Sequence, residues 1–268
     1  VRNLATNFER TIATNNTGSF AATLLPVGTY EVNIRALGMT PVRRPALRVS
    51  LGQAVDLEIA MARQATTLGT VVVEGARPLV DPNETEAATR LSAEVVSGLP
   101  NNGRNYLNLT LLTPNVAIVQ GPDGDELSVA GQRGIHNNVS VDGADFNNPF
   151  FGEQRGGQRP AFTFNLDAVQ EVVVISQGAN AEFGRSSGGF VNVLTKSGTN
   201  ELRGSTHYYL KNGALSQNAR HGTVELDPDF TQHQFGFTLG GPLRRDKAFF
   251  FIAYDQQIYD ETKQKARA

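Results

Sequence analysis

The chain has 268 residues, a formal net charge of -2, a hydrophobic fraction of 40% and a charged fraction of 19%. That apolar content suffices for packed cores and excludes a disordered chain, and the near-neutral charge excludes the basic field of a nucleic-acid binder. Cysteine is absent, which rules out a disulfide framework and thiolate metal sites.

No run approaches the roughly 18 apolar residues of a membrane helix. The chain opens on Val1 in what reads as the middle of a domain. It closes on a mostly polar stretch from Asp255 to Ala268, so it is expected to be a fragment of a longer protein. Recurrent Asn-Gly, Asp-Gly and Ser-Gly pairs favour many turns between short strands. In the first segment Tyr30, Val32, Ile34 and Ala36 alternate with Glu31, Asn33 and Arg35. Val55, Leu57, Ile59 and Met61 alternate with Asp56, Glu58 and Ala60. A period of two puts each apolar set on one face of a strand. Glycine- and proline-bearing turns separate these runs, which predicts a β-sandwich over residues 1–62. Thr17-Gly18-Ser19-Phe20 followed by Leu25-Pro26-Val27-Gly28-Thr29-Tyr30 resembles the carboxypeptidase regulatory-like domain, a transthyretin-like sandwich. The family's first strand would fall before Val1.

Residues 63–90 read as a linker that carries a short β-branched run, Thr70-Val71-Val72-Val73. Leu91, Val95, Val96 and Leu99 then fit one helical face, stopped by Gly98 and Pro100. Asn105 can cap a second helix bearing Tyr106, Leu109 and Leu112, which ends before Pro114. Strands are expected at about 126–130, 137–141, 169–176 and 189–195, an α+β mixture. From residue 201 the strands lengthen. Ser205 to Lys211 is one. Phe235, Phe237 and Leu239 alternate with Gln234, Gly236, Thr238 and Gly240, and a third runs through Phe249, Phe251 and Ala253. Such segments fit a membrane barrel, but alternation alone favours a soluble antiparallel sheet, because the barrel signal per strand is weak.

Ordered motifs separate the two. Leu99-Pro100-Asn101-Asn102-Gly103-Arg104-Asn105-Tyr106 precedes Leu111-Leu112-Thr113-Pro114-Asn115-Val116, Gly131-Gln132-Arg133 and Val141-Asp142-Gly143. Asn147-Asn148-Pro149-Phe150-Phe151-Gly152, Ala181 to Gly189, Val191-Asn192-Val193 and Thr195 to Asn200 follow. This order resembles the plug of Oar-like TonB-dependent outer-membrane receptors. Gln234 to Pro242 with Asp246 to Phe251 resembles that family's first barrel hairpin.

The resemblance implies a mixed fold. An N-terminal transthyretin-like β-sandwich (1–62) and a linker (63–90) lead to an α+β plug (91–200) and the first strands of a truncated transmembrane antiparallel β-barrel (201–268). It implies a Gram-negative outer membrane location, with sandwich and plug on the periplasmic side or in the lumen. The implied function is transport gated by the plug and driven by TonB, in either direction. Thr70, Val71, Val72 and Val73 would be the TonB box, captured by strand addition to the edge of the partner's sheet. Arg133 and Arg185 would be plug–barrel contacts. Many siderophore-receptor plugs carry Arg-Gly-Pro where this chain has Gln177-Gly178-Ala179, which puts the full arginine cluster and siderophore specificity in doubt. The loop with Phe146, Asn147, Asn148, Phe150, Phe151, Arg155 and Arg159 would face substrate, and its side chains suit a peptide or a carbohydrate.

Enzyme signals are weak. Gly184-Arg185-Ser186-Ser187-Gly188 has the G-x-S-x-G spacing, but a strand rather than a helix is expected after it. The four histidines lack metal-ligand spacing, no phosphate loop is present, and no cofactor is expected. An outer-membrane carbohydrate-binding or adhesion protein without transport, or a soluble periplasmic enzyme, stays open at this stage.

Overall fold

A computed structural model describes residues 1–63, 71–72, 86–101, 104–121, 124–147, 165–179, 184, 186–215, 219–221, 224–226 and 230–261. The chain divides into two compact units. One comprises residues 1–84, 197–202 and 241–250, and the other residues 85–196, 203–240 and 251–268.

The first unit is built on a four-stranded sheet in the order β1-β2-β3-β4, with β1 at Arg2–Asn3, β2 at Gly28–Ile34, β3 at Val42–Val49 and β4 at Val71–Val72. β2 pairs antiparallel with β1 and β3, and β3 pairs parallel with β4. Tyr30, Val32 and Val42 are the buried apolar residues, and the Tyr30 hydroxyl donates to the Pro26 carbonyl at 2.7 Å.

Two expectations change here. Val55, Leu57, Ile59 and Met61 are half-buried while Asp56, Glu58 and Ala60 are exposed, so the alternation is real. No strand forms there, because among the described residues the only ladder contact nearby is the Met39–Arg63 bridge. β3, in contrast, carries Pro45 and shows no clean alternation. It is paired despite the proline because a bulge sets Pro45 and Ala46 opposite Glu31, with Ala46 at φ 57. The described residues of 1–62 therefore form one sheet rather than two facing ones.

The second unit begins with β5 (Ala87–Ser92) and α1 (Ala93–Gly98), so the last residues of the expected linker are strand. Leu91 belongs to β5 rather than to the helix. Its burial comes from the sheet, where it lies opposite Val172. α2 spans Leu107–Thr110 with Tyr106, not the expected Asn105, at its N-cap; the Asn105 side chain accepts from the Leu107 N–H at 3.0 Å as an Asx turn before the helix.

A hairpin of β6 (Val116–Gly121) and β7 (Gly124–Val129) follows, then β8 (Asn138–Val141), β9 (Ala144–Asp145), β10 (Val169–Gln177) and β11 (Phe190–Thr195). The central sheet has the order β5-β10-β11-β8-β9, with β11 and β8 parallel and the other pairs antiparallel. β10 is buried on both faces, which explains its unbroken Val-Val-Val-Ile run. Val172, Val174, Val191 and Val193 pack with Tyr106, Leu109, Leu127 and Val139 in one core. Each such side chain stabilises the fold by about 1.5–3 kcal/mol.

The glycines of the Gly184 to Gly189 motif act in this core. A Cβ on Gly189 would lie 2.7 Å from Val129 carbons, and one on Gly188 would lie 2.3 Å from the Asn137 Oδ1. The Ser186 hydroxyl donates to the carbonyls of His136 (2.9 Å) and Gly189 (2.8 Å), and the strand β11 follows it. This is a turn that seats β11 on its neighbours, not a nucleophile elbow.

The remaining strands are β12 (Arg203–Asn212), the short pair β13 (Ala219–His221) and β14 (Val224–Leu226), β15 (Phe230–Arg244) and β16 (Ala248–Glu261). β15 lies between β12 and β16 in a three-stranded sheet.

Candidate functional site

The three-stranded sheet is patterned inside out. On β15 Gln232, Gln234 and Thr238 are buried, while Phe235, Phe237 and Leu239 are 38%, 43% and 40% exposed. On β16 Ile252 and Tyr254 are exposed while the Asp255 side chain is covered. On β12 Tyr208 and Leu210 are exposed while the His207 side chain is covered. A soluble sheet hides its apolar face. An apolar outer face and a polar inner one is the arrangement of a membrane barrel wall. Aromatic pairs tie the outer face together. Phe237 stacks on Tyr254 (5.9 Å between centroids), and the Tyr208 hydroxyl lies 2.8 Å from His233 Nδ1.

On the inner face sits a charged cluster. His207 Nδ1 is 2.8 Å from Asp167 Oδ2, and Nε2 is 2.9 Å from Asp255 Oδ2. Gln234 donates to the other Asp255 oxygen at 3.4 Å. Asp167 lies in a 3-10 turn (Leu166–Ala168) before β10, held there by the Asn165 side chain, which accepts from its N–H at 2.9 Å. Asn165 also donates to the Tyr254 carbonyl at 3.2 Å.

Arg104 pairs with Asp167 at 2.5 Å and donates to the Tyr209 hydroxyl at 2.9 Å, with its guanidinium carbon 5.0 Å from the Tyr209 ring centroid. Arg104 takes φ 54, in the left-handed region. The cluster thus joins two groups that precede core elements, Arg104 and Asp167, to three successive strands of the inside-out sheet.

Both ring nitrogens of His207 face carboxylate oxygens, so the ring ties Asp167 to Asp255.

Burial works to raise the Asp167 pKa, but the hydrogen bond and charge of Arg104, then those of His207, outweigh it and hold the carboxyl below its ordinary value. A depressed folded-state pKa contributes stability that is complete above the unfolded value of about 3.9 and is lost as pH falls through the folded one. Asp167→Asn should therefore flatten the acid limb of stability below about pH 4. Thermal unfolding of the two receptors across that range checks it.

The ring of His207 lies over Gly236. A Cβ there would stand 2.4 Å from the Tyr254 carbonyl oxygen and 2.8 Å from His207 Cε1. Gly236→Ala must push backbone and imidazole apart, with an expected cost of about 1–3 kcal/mol. A lowered unfolding midpoint of the full-length protein checks it, and an unchanged midpoint would refute the close packing.

The residues singled out in the sequence lie mostly elsewhere. Arg133 is exposed and precedes a 3-10 turn at Gly134–His136, and Arg185 lies outside the described residues. Phe146 is half-buried against the core of the second unit. Asn147 locks the β8–β9 turn, accepting from the Val139 N–H at 3.1 Å and donating to Asn138 and Asp145. Asn148, Phe150, Phe151, Arg155 and Arg159 lie outside the described residues, as do Thr70 and Val73. Val71 and Val72 form β4. The arginine that reaches the inside-out sheet is Arg104, which stood in the Leu99 to Tyr106 motif without a role of its own.

Comparison with known proteins agrees with this geometry. Residues 194–267 match the family described as outer membrane beta barrel domain, and residues 1–62 match the carboxypeptidase regulatory-like domain. The chain is 30% identical over 261 residues to the TonB-dependent transporter Oar of Myxococcus xanthus, an alignment covering 92% of this chain and 24% of that protein. It is a homologue of that transporter. The chain spans about a quarter of the length of the curated relative it matches.

Solved structures share the fold. The outer membrane transporter YddB from Escherichia coli aligns with a TM-score of 0.53 at 16% identity, over 65% of this chain and 26% of that one. The siderophore receptor PirA from Acinetobacter baumannii aligns with a TM-score of 0.50 at 19% identity, over 64% of this chain and 24% of that one. This Oar-like chain is accordingly mostly β with few helices, and its place is the outer membrane of a Gram-negative cell.

Proposed function

We propose that the full-length receptor moves a substrate across the outer membrane through its barrel, with residues 91–200 as the plug and energy drawn from TonB. The observation that carries this reading is the charged cluster. Arg104 and Asp167, from the compact α+β domain, meet His207, Gln234 and Asp255 on the polar face of a sheet whose other face is apolar. A domain bonded in this way to the polar side of a membrane wall fills the lumen, where side chains of a wide barrel cannot close the hole. The chemistry is mechanical, because a few charge-assisted hydrogen bonds hold strongly and let go without breaking covalent bonds.

Residues 1–62 serve as a transthyretin-like sandwich on the periplasmic side, with β1–β3 in one layer and the half-buried row Val55, Leu57, Ile59 and Met61 supporting a second. Thr70, Val71, Val72 and Val73 serve as the TonB box, and the extended backbone of Val71 and Val72 supports this. The loop from Phe146 to Arg159 is the substrate face and takes a peptide or a carbohydrate. Arg133 and Arg185 remain assigned to further plug–barrel contacts.

Capture of the purified TonB C-terminal domain by the full-length receptor in detergent tests the energy coupling. Deleting Thr70 to Val73 should abolish capture, and capture that persists unchanged would remove the TonB-box assignment.

A further inference from the structure

β4 is not free. Its two residues pair parallel with the edge of β3, Val42 opposite Val71 and Arg43 opposite Val72. On its other side β3 is held by β2 through six paired positions and by the side chains of Glu31, Asn33 and Arg43. Asn33 donates to Glu31 at 2.7 Å and Arg43 Nε donates to it at 2.7 Å. The exposed edge of β3 is short by construction. Two residues beyond Arg43 the chain meets Pro45, which lacks an N–H, and then the left-handed Ala46 at the bulge. A proline and a bulge end a pairing edge. The edge thus accepts a segment of two or three residues and refuses a longer strand.

The sheet that offers this edge is itself fastened. At its far side the loop after β1 grips the turn between β15 and β16, all within the first unit. Asn7 Nδ2 donates to Asp246 Oδ1 at 2.7 Å, and Asn200 Nδ2 donates to the same oxygen at 2.7 Å. The Asp246 N–H returns a bond to Asn200 Oδ1 at 2.9 Å, and the Asn200 N–H donates to the Ala5 carbonyl at 3.0 Å. Arg2 donates to Asn7 Oδ1 at 2.7 Å, which turns the amide nitrogen of Asn7 toward Asp246. Asn7 and Asp246 both take left-handed backbone, with φ of 58 and 62.

We propose that the edge of β3 is a docking site for the segment at Val71–Val72, which stows it and competes with strand addition by TonB. This rests on the TonB-box reading of Thr70 to Val73. Parallel pairing is weaker per residue than antiparallel pairing, and here it covers two residues. An incoming sheet edge that offers a longer ladder displaces it. The stowed segment is hidden from other unpaired edges until that happens.

The absence of native cysteine makes the test clean. In the full-length receptor the pair Val42→Cys and Val71→Cys should oxidise to a disulfide, and the pair Val49→Cys and Val71→Cys, at the wrong end of β3, should not. The oxidised first pair should lose capture of the purified TonB C-terminal domain, and a reductant should restore it. Failure of the first pair to crosslink, crosslinking of both pairs alike, or capture unaffected by the disulfide would each overturn the proposal. The deletion of Thr70 to Val73 separates the two ideas. If deletion abolishes capture and the disulfide does not, the stowage is wrong and the TonB box stands. If deletion leaves capture intact, the TonB-box reading itself is wrong.

Discussion

Replacing His207 by alanine should destabilise the full-length receptor by about 3–5 kcal/mol, the range for removing one partner of a buried charge group. The substitution leaves Asp255, almost wholly covered, with Gln234 alone. Asp167 keeps Arg104 but loses its link to the wall. The loss should appear as a lower unfolding midpoint in detergent and as faster hydrogen exchange at Leu107 to Thr110 and at the start of β10. His207→Gln, which can offer one N–H donor group to one carboxylate at a time, should recover part of the loss. An alanine variant with parental midpoint and exchange would mean that the ring bears no load between the two elements it touches.

The second large effect concerns the outer face. Phe237→Arg places a cation among Phe235, Leu239 and Tyr254, on the exposed side of β15. In lipid such a change costs about 2–4 kcal/mol near the bilayer midplane and close to nothing near the interfaces. On a soluble sheet an exposed Phe→Arg change is close to neutral. Equilibrium unfolding of the receptor folded into lipid vesicles distinguishes these. A cost below about 0.5 kcal/mol would place this face in water rather than hydrocarbon. The companion change Gln234→Leu, on the inner face, should disturb Asp255 and leave insertion untouched.

These effects mark where local sequence is informative and where it is not. The alternation of Phe235, Phe237 and Leu239 with Gln234, Gly236 and Thr238 is plain in the letters, because a strand's period is two whatever surrounds it. Which face is covered is a tertiary fact, and alternation alone favours a soluble sheet. β10 and β11 were readable from their β-branched runs, whereas β3 was hidden by Pro45, whose missing donor is harmless at a bulge. Leu91 was misplaced because a strand running straight into a helix offers apolar residues to both periods at once.

The charged cluster was the least legible part. Arg104 and Tyr209 are 105 positions apart, and Asp167 lies 40 positions from His207. No spacing rule links such residues, and a lone histidine without a metal-ligand pattern gives no local sign of two acids around it. Arg133 was singled out through the family resemblance, which gives a position and not a partner, and it lies exposed before the turn at Gly134–His136. The Gly236 cradle could have been a clue, since a glycine at an inward strand position marks a close approach by another group.

Tyr208 paired with His233 on the apolar face, near the end of β15 remote from the turn at Asp246, has a consequence for insertion depth. Amphipathic rings settle at headgroup level, where apolar carbon meets water. The pair forms the start of a belt that fixes how far the wall sinks into the membrane. With about 3.3 Å of rise per residue, the ten-odd residues of β15 between that belt and the turn, tilted by about 45°, cover close to the thickness of the hydrocarbon. The vertical position of the wall would then be set by rings near one rim, leaving the rim at the Asp246 turn free of that constraint.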